Sequence, residues 1–423
     1  MVDGQTPAAS AAFTSYQKFI IAVLAFLQFT IVLDFMILSP LGALLLQALK
    51  LPTSRFGLVV SVYAFSAGGS GLLAAGFADR FDRKKLLLFF YSGFVVGTAL
   101  CAVATGYEFL LIARMITGFF GGVIGSISFA IIADLFPPQS RGRVMGTVQT
   151  AFSASQVLGI PLGLWLAGRW GWHAPFYLIA AVSAVVGVVI AVLMRPIDGH
   201  LKLQRSESPF RHLFATVSRP SYVEAFLCTM LLVTGGFMLM PFGSTYIVNN
   251  MGIPFGNIHT IYLVTGGFTF VSGPLVGRLS DSIGKYAVFA AASVLTVVMV
   301  ITFTSLGLSP LWLVITVNLL LMLGVTSRMI SASALTSIVP DAADRGSFMA
   351  VNASMQQIAG GVAAACAGFI VVQLEGGALR GYDLLGYVVV VSIVISVALL
   401  YRINRMVSAK LVADAAARAA TAA

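Results

Sequence analysis

The chain is a succession of long apolar runs separated by short polar breaks. A helix needs about 20 apolar residues to cross the hydrocarbon layer of a bilayer. Twelve runs approach or exceed that length: 19–46, 56–78, 86–105, 109–133, 144–167, 175–194, 222–246, 258–277, 286–307, 311–333, 347–373 and 384–402. The longest polar stretch, 195–220, divides them six and six. The pattern predicts an all-α membrane protein of twelve transmembrane helices. An N-terminal six-helix bundle covers 1–194, a central cytoplasmic loop 195–220, a C-terminal six-helix bundle 221–405 and an Ala-rich cytoplasmic tail 406–423.

Composition narrows the class further. Apolar residues make up 59% of the chain and charged residues 9%, against about 25% charged in soluble proteins. Mean hydropathy is +0.97. These values exclude a soluble multidomain enzyme, a disordered chain and a disulfide scaffold. The net charge of +10 would suggest nucleic acid in a soluble protein, but here the basic residues follow the loops. With the N-terminus placed inside, 19 of the 25 Lys and Arg residues fall on the inner side and 4 outside. Arg114 and Arg328 fall within spans. The positive-inside bias then puts both termini and the central loop in the cytoplasm, with the chain in the cell's inner membrane. No nucleic-acid partner is expected, and the chain is expected to be a monomer in contact with lipid.

The two halves repeat. Ala75 to Lys84, after the second run, reads A-G-F-A-D-R-F-D-R-K; Gly277 to Lys285, after the eighth, reads G-R-L-S-D-S-I-G-K. Asp79 and Asp281 are 202 residues apart, Pro137 and Pro340 are 203 apart, and Arg141 and Arg345 are 204 apart. Two independent loop signatures at one offset indicate a duplicated six-helix unit, a known way to build a transporter with its substrate site between the halves.

These residues resemble the major facilitator superfamily over nearly the whole chain. The segment after the second run is similar to that superfamily's loop G-x-x-x-D-R-x-G-R-K, with Ala75 and Asp82 standing where glycines are usual. Leu111 to Gly118 resembles the motif that carries an intramembrane Arg in proton-driven members. Gly159-Ile-Pro161-Leu-Gly163 resembles the antiporter motif of drug:proton antiporters, with Ile160 inserted between Gly and Pro. Gly171-Trp172-His173, which follows, is similar to the sugar-efflux, arabinose-efflux-permease-like branch of the 12-span antiporters. The resemblance implies two pseudo-symmetric bundles that rock about a central cavity. It also implies gating loops in which Asp79, Arg80, Arg83, Arg141, Asp281 and Arg345 lock one conformation.

Ionisable residues inside a span are costly unless paired or hydrated, so each is a candidate for function. Asp34 lies about 23 Å from the cytoplasmic end of the first run and Arg114 about 22 Å from that of the fourth. The matched depths predict a pair that couples transport to protons. Arg114 shares a helix face with Gly118, Gly121, Gly122 and Gly125, a small-residue stripe that lets another helix approach closely. Arg328 and Glu224 lie at similar shallow depth, which suggests a cytoplasmic latch; substrate contact by Arg328, or a side chain reaching out to the interface, stays open beside it. Gln156, Asn318, Arg328 and Gln357 are candidates to line the cavity.

Cys101, Cys228 and Cys366 and the four histidines have no metal-ligand spacing, and neither a Ser/His/Asp set nor a phosphate-cradling loop is present in the sequence. The sequence is therefore expected to encode no enzyme, to use no cofactor and to draw energy from the proton gradient. The expected activity is proton-coupled export of a small amphipathic compound or drug, with protons and a small-molecule substrate as partners. Uptake or exchange of an anionic metabolite, and lysolipid translocation, are the alternatives.

Overall fold

The computed structural model describes residues 13–77, 80–202, 218–341 and 344–422. Among them, twelve helical segments are long and apolar enough to cross a membrane. Six lie before the central segment: α1 (Ser15–Ile37), α3 (Thr53–Phe77), α4 (Arg83–Ala102), α5 (Tyr107–Leu135), a fifth span built from α6 (Pro138–Ala154) and α7 (Ile160–Trp170), and α8 (Ala174–Leu193). A short helix, α2 (Gly42–Ala48), follows α1. Six more follow: α9 (Pro220–Asn249), α10 (Ile258–Ile283), α11 (Lys285–Ser305), α12 (Leu311–Thr336), α13 (Arg345–Ile370) and α14 (Tyr382–Ala422). The face bearing Arg83, Arg141, Arg219 and Lys285 is called the basic face below, and the opposite one the far face.

The two largest differences from the sequence expectation are at the end of the first span and the end of the last. The first run was expected to continue to residue 46, but α1 stops at Ile37 and a turn over 38–41 leads into α2. Pro40 explains the break, since proline lacks an amide donor and disfavours helical geometry in the residue before it. At the other end, α14 does not stop at 402; it continues to Ala422. Its extension is tied down by Lys410, whose Nζ donates to Val339 O at 3.2 Å and Asp341 Oδ1 at 2.8 Å. With Arg219, Tyr222, Met406 and Val407 these residues line a cavity of about 240 Å³ at the basic face.

Glycines set the closest helix contacts. A Cβ on Gly118 would stand 2.4 Å from Tyr63 O, and one on Gly122 2.3 Å from Ala67 O. The stripe on α5 thus receives the backbone of α3, as its small residues predict. The same device joins the halves: a Cβ on Gly57 of α3 would meet Ala364 O and Gly368 Cα of α13 at 2.9 Å. Further toward the basic face, Gly68 packs under Ile358. On the far face Thr53 Oγ1 donates to Val371 O, Ser244 Oγ donates to Ser39 O at 3.2 Å, and the rings of Phe56 and Phe242 meet at 5.8 Å. A two-stranded hairpin, β1 (Val372–Gln373) with β2 (Leu379–Arg380), joins α13 to α14 there. Asn250 holds it by exchanging two hydrogen bonds with the Leu379 backbone.

Candidate functional site: a buried ion pair and the helices around it

Asp34 and Arg114 form an ion pair inside the N-terminal half, and both are fully buried. Arg114 Nη1 donates to Asp34 Oδ2 at 2.8 Å and to the Asp34 carbonyl at 3.1 Å. Thr98 Oγ1 of α4 donates to Asp34 Oδ1 at 3.2 Å. The guanidinium also lies 4.4 Å above the ring of Tyr63 on α3. Its Nε is buried and finds no acceptor among the described residues. Four helices therefore meet at one ion pair, and the packing of Gly118 and Gly122 is what brings α3 close enough to supply Tyr63. A charge pair out of water is held only by its own attraction and its added hydrogen bonds.

The pair lies deeper than the sequence suggested. Measured along the helices, Asp34 is about 29 Å from Ser15 and Arg114 about 32 Å from Leu135. Both spans extend further at the basic face than their apolar runs, which places the pair in the third of the bundle next to the far face.

The fifth span is interrupted by a π-helical turn, Ser155–Gly159. Pro161 supplies the cause: it cannot donate to the carbonyl four residues earlier, at Val157. Such bulges recur at functional sites. The bulge lets Ser155 Oγ reach Phe29 O of α1 at 2.9 Å and brings Gln156 Nε2 to Met36 Sδ at 3.7 Å. A Cβ on Gly266 of α10 would meet Val157 Cα at 3.1 Å and Gln156 O at 3.2 Å, so the bulge is also a contact between the halves. Gln357 occupies the other seam, against Gly68 of α3. Asn318 is buried on α12. These three candidates are distributed over two seams and one helix core.

The expected Glu224–Arg328 latch is not formed. Glu224 Oε1 instead accepts from Arg402 Nη2 of α14 at 2.7 Å. Arg328 is not at the interface either; it lies about 12 Å inside the end of α12 at Thr336. It is buried within the C-terminal half, donating to Ser293 Oγ of α11 at 3.1 Å and Ser396 Oγ of α14 at 2.8 Å, over the ring of Phe289. Among the described residues it has no carboxylate within ion-pair distance. The physical reason is direction: α12 turns Arg328 toward α11 and α14, away from the start of α9.

The loop candidates have mixed outcomes. Arg83 bridges α4 to α5 by an ion pair with Asp134 at 3.0 Å. Asp82, where the resembling motif has glycine, caps α4 by accepting from Lys85 N and also accepts from Ile197 N. Arg141 donates to the Ala133 and Phe136 carbonyls, satisfying acceptors at the end of α5. Arg80 is exposed. Asp281 pairs with Lys285 on its own helix side at 3.4 Å and is exposed. Asp79 and the side chain of Arg345 lie outside the described residues. In the second loop Asp344, beside Arg345, accepts from Arg219 and from Tyr222 Oη, a connection the sequence reading missed. It also missed Thr98, Tyr63, Ser293 and Ser396, which are uncharged and sit in unremarkable apolar runs; only the deep charges they solvate point to them.

Among the described residues, twelve helical segments long and apolar enough to span a membrane, in two groups of six with a buried ion pair inside the first, define a polytopic helical transporter fold. The sequence pattern of the Major Facilitator Superfamily matches residues 24–364 and, in a second alignment, 225–417, and the chain belongs to that family. Among curated proteins, YceJ of Bacillus subtilis (strain 168), an uncharacterized MFS-type transporter, is 29% identical over 261 residues, 61% of this chain and 66% of that protein. The match thus spans just under two thirds of that relative's length. A probable sugar efflux transporter of Helicobacter pylori (strain P12) is 25% identical over 337 residues, 78% of this chain and 84% of that one. Among solved structures, a bacterial homolog of the human lysosomal transporter Spinster, in an inward-facing and occupied conformation, superposes with a TM-score of 0.75 at 15% identity, covering 93% of this chain and 98% of that one. The last likeness concerns the fold.

Proposed function

We propose that the chain is a proton-coupled antiporter that exports a small amphipathic organic compound by alternating access. In this reading Asp34 carries the proton and Arg114 is its counter-ion. The observation that carries it is the Asp34–Arg114 pair, fully buried with Thr98 as the remaining donor. Protonating Asp34 cancels the attraction and leaves a guanidinium unpaired in the N-terminal half. The two protonation states therefore favour different surroundings, and a ligand or ion shifts a conformational equilibrium only through such a difference. A proton moving inward through about 150 mV supplies about 3.5 kcal/mol from voltage alone.

The direction of transport draws support from the sugar efflux relative and from the interrupted fifth span. The basic face is cytoplasmic, the membrane is the cell's inner one, and the working unit is a monomer. Exchange of anions on Arg114 and Arg328 draws less support, because Arg114 is committed to Asp34 and Arg328 to two serines.

The test uses purified protein in liposomes that are acid inside. Amphipathic drugs, sugars and organic acids are added outside in turn, and lumenal pH is followed. Compound-dependent proton release by the wild type, lost in Asp34→Asn, is the expected result. Release that is unchanged in Asp34→Asn overturns the carrier role.

A further inference from the structure

Phe35 follows Asp34 in α1, so its side chain points about 100° away around the helix. Asp34 faces α5, and the half-buried Phe35 ring instead meets Tyr63 of α3 at 5.0 Å between centroids and Phe237 of α9 at 5.6 Å. The same Tyr63 ring receives the Arg114 guanidinium at 4.4 Å. Phe237 in turn lies flat against α13, where a Cβ on Gly360 would come within 2.8 Å of its ring. A continuous row, Arg114–Tyr63–Phe35–Phe237–Gly360, thus leads from the buried charge to two helices of the other half. Other contacts between the halves toward the far face, among them Ser244 with Ser39, Phe56 with Phe242 and Gly57 with Ala364, involve neither member of the ion pair.

We propose that Phe35 is a positioning residue that passes the protonation state of Asp34 to the C-terminal half through its ring contact with Phe237. The inference rests on Asp34 being the proton carrier. The titratable or charged groups facing Asp34 are Arg114 on α5, Tyr63 on α3 and Cys101 on α4. Among the described residues, α6, the π turn, α7 and α8 present none to it. When Asp34 is neutral, the guanidinium keeps its hydrogen bond to the Asp34 backbone carbonyl and its place over the face of Tyr63. Among the described residues its buried Nε has no hydrogen-bond acceptor to pull it elsewhere. The cation therefore settles against Tyr63, and the Tyr63 ring displaces Phe35, whose other neighbour is Phe237. Side chains in direct contact transmit such a shift, here from ring to ring along the row.

The test needs no substrate. Spin labels are placed on the full-length chain at Gln149→Cys of α6 and Ser282→Cys of α10, with Cys366→Ala removing the exposed native thiol. The distance distribution between labels is recorded against pH in lipid nanodiscs, and the Asp34 carboxylic carbonyl band is followed by infrared difference spectroscopy. The wild type is expected to show a pH-dependent change in distance, absent in Asp34→Asn. Phe35→Ala is expected to keep the infrared titration of Asp34 and lose the distance change, and Phe35→Tyr to keep both. Phe237→Leu, which breaks the row from the other side, is expected to behave as Phe35→Ala does. A wild-type distance response in both Phe35→Ala and Phe237→Leu overturns the proposal while leaving Asp34 as carrier. A response that persists in Asp34→Asn overturns the carrier reading and this one with it.

Discussion

Gly57 of α3 and Gly368 of α13 meet backbone to backbone, with 2.9 Å between the place of a Gly57 Cβ and the Gly368 Cα. This contact closes the far face, and neither partner can carry a side chain without parting the helices. Gly57→Val is expected to hold the seam open at a cost of about 1–3 kcal/mol, the usual range for overpacking. Faster hydrogen–deuterium exchange over 360–370, with unchanged exchange in α11, checks it.

Removing one member of a buried pair costs more than removing both. Arg114→Ala leaves an unpaired carboxylate among α1, α4 and α5, and is expected to destabilise the protein by about 3–5 kcal/mol. The double variant Asp34→Ala/Arg114→Ala is expected to recover a substantial part of that loss. Thermal unfolding of the wild type, Arg114→Ala and the double variant in one detergent reads the difference.

The clasp on the α14 extension weakens in acid. The Lys410 ammonium, hydrogen-bonded to the Asp341 carboxylate and opposite to it in charge, holds the Asp341 carboxyl below its ordinary value. A carboxylate depressed in the folded state contributes stability that is fully present above its unfolded value near 3.8. That contribution disappears as pH falls through the lower folded value. The clasp should therefore be indifferent to pH between 5 and 8. The pair is largely exposed, so it is worth at most about 1 kcal/mol. Lys410→Ala is expected to raise exchange in residues 404–410 equally at pH 5.5 and pH 7.5; a difference between the two pH values would contradict this assignment.

Pro161→Ala returns the missing amide and allows the fifth span to close its i→i−4 ladder through Val157. The variant is expected to be as stable as the wild type or more so, yet to lose transport, because Ser155 and Gln156 turn away from Phe29 and Met36. Thermal unfolding and compound-dependent proton release, measured together, separate these effects.

The number of spans and their division six and six were legible because lipid imposes a length on every apolar run. The ion pair was legible because a lone acid and a lone base at matched depth have few other partners. Depth along a helix does not report direction around it, which is why Glu224 was matched with Arg328 when its partner is Arg402. Helix ends were less legible where polar residues continue a helix past the membrane, as at Arg345, Leu135 and beyond Arg402. The row of rings was invisible: Phe35, Tyr63 and Phe237 belong to three helices, and nothing in their local sequence distinguishes them from other core aromatics.

Arg328 gives the duplicated architecture an unequal division of labour. Its charge is solvated by two hydroxyls whose protons are already given to backbone carbonyls, Ser293 to Phe289 and Ser396 to Ile393. Among the described residues no carboxylate answers it, whereas Arg114, the buried charge of the first half, is answered by Asp34. In the proposed antiport cycle the first half thus holds a charge pair that a proton at Asp34 can discharge and the second a cation without an acid partner, so the two halves face each other as a variable electrode and a fixed one.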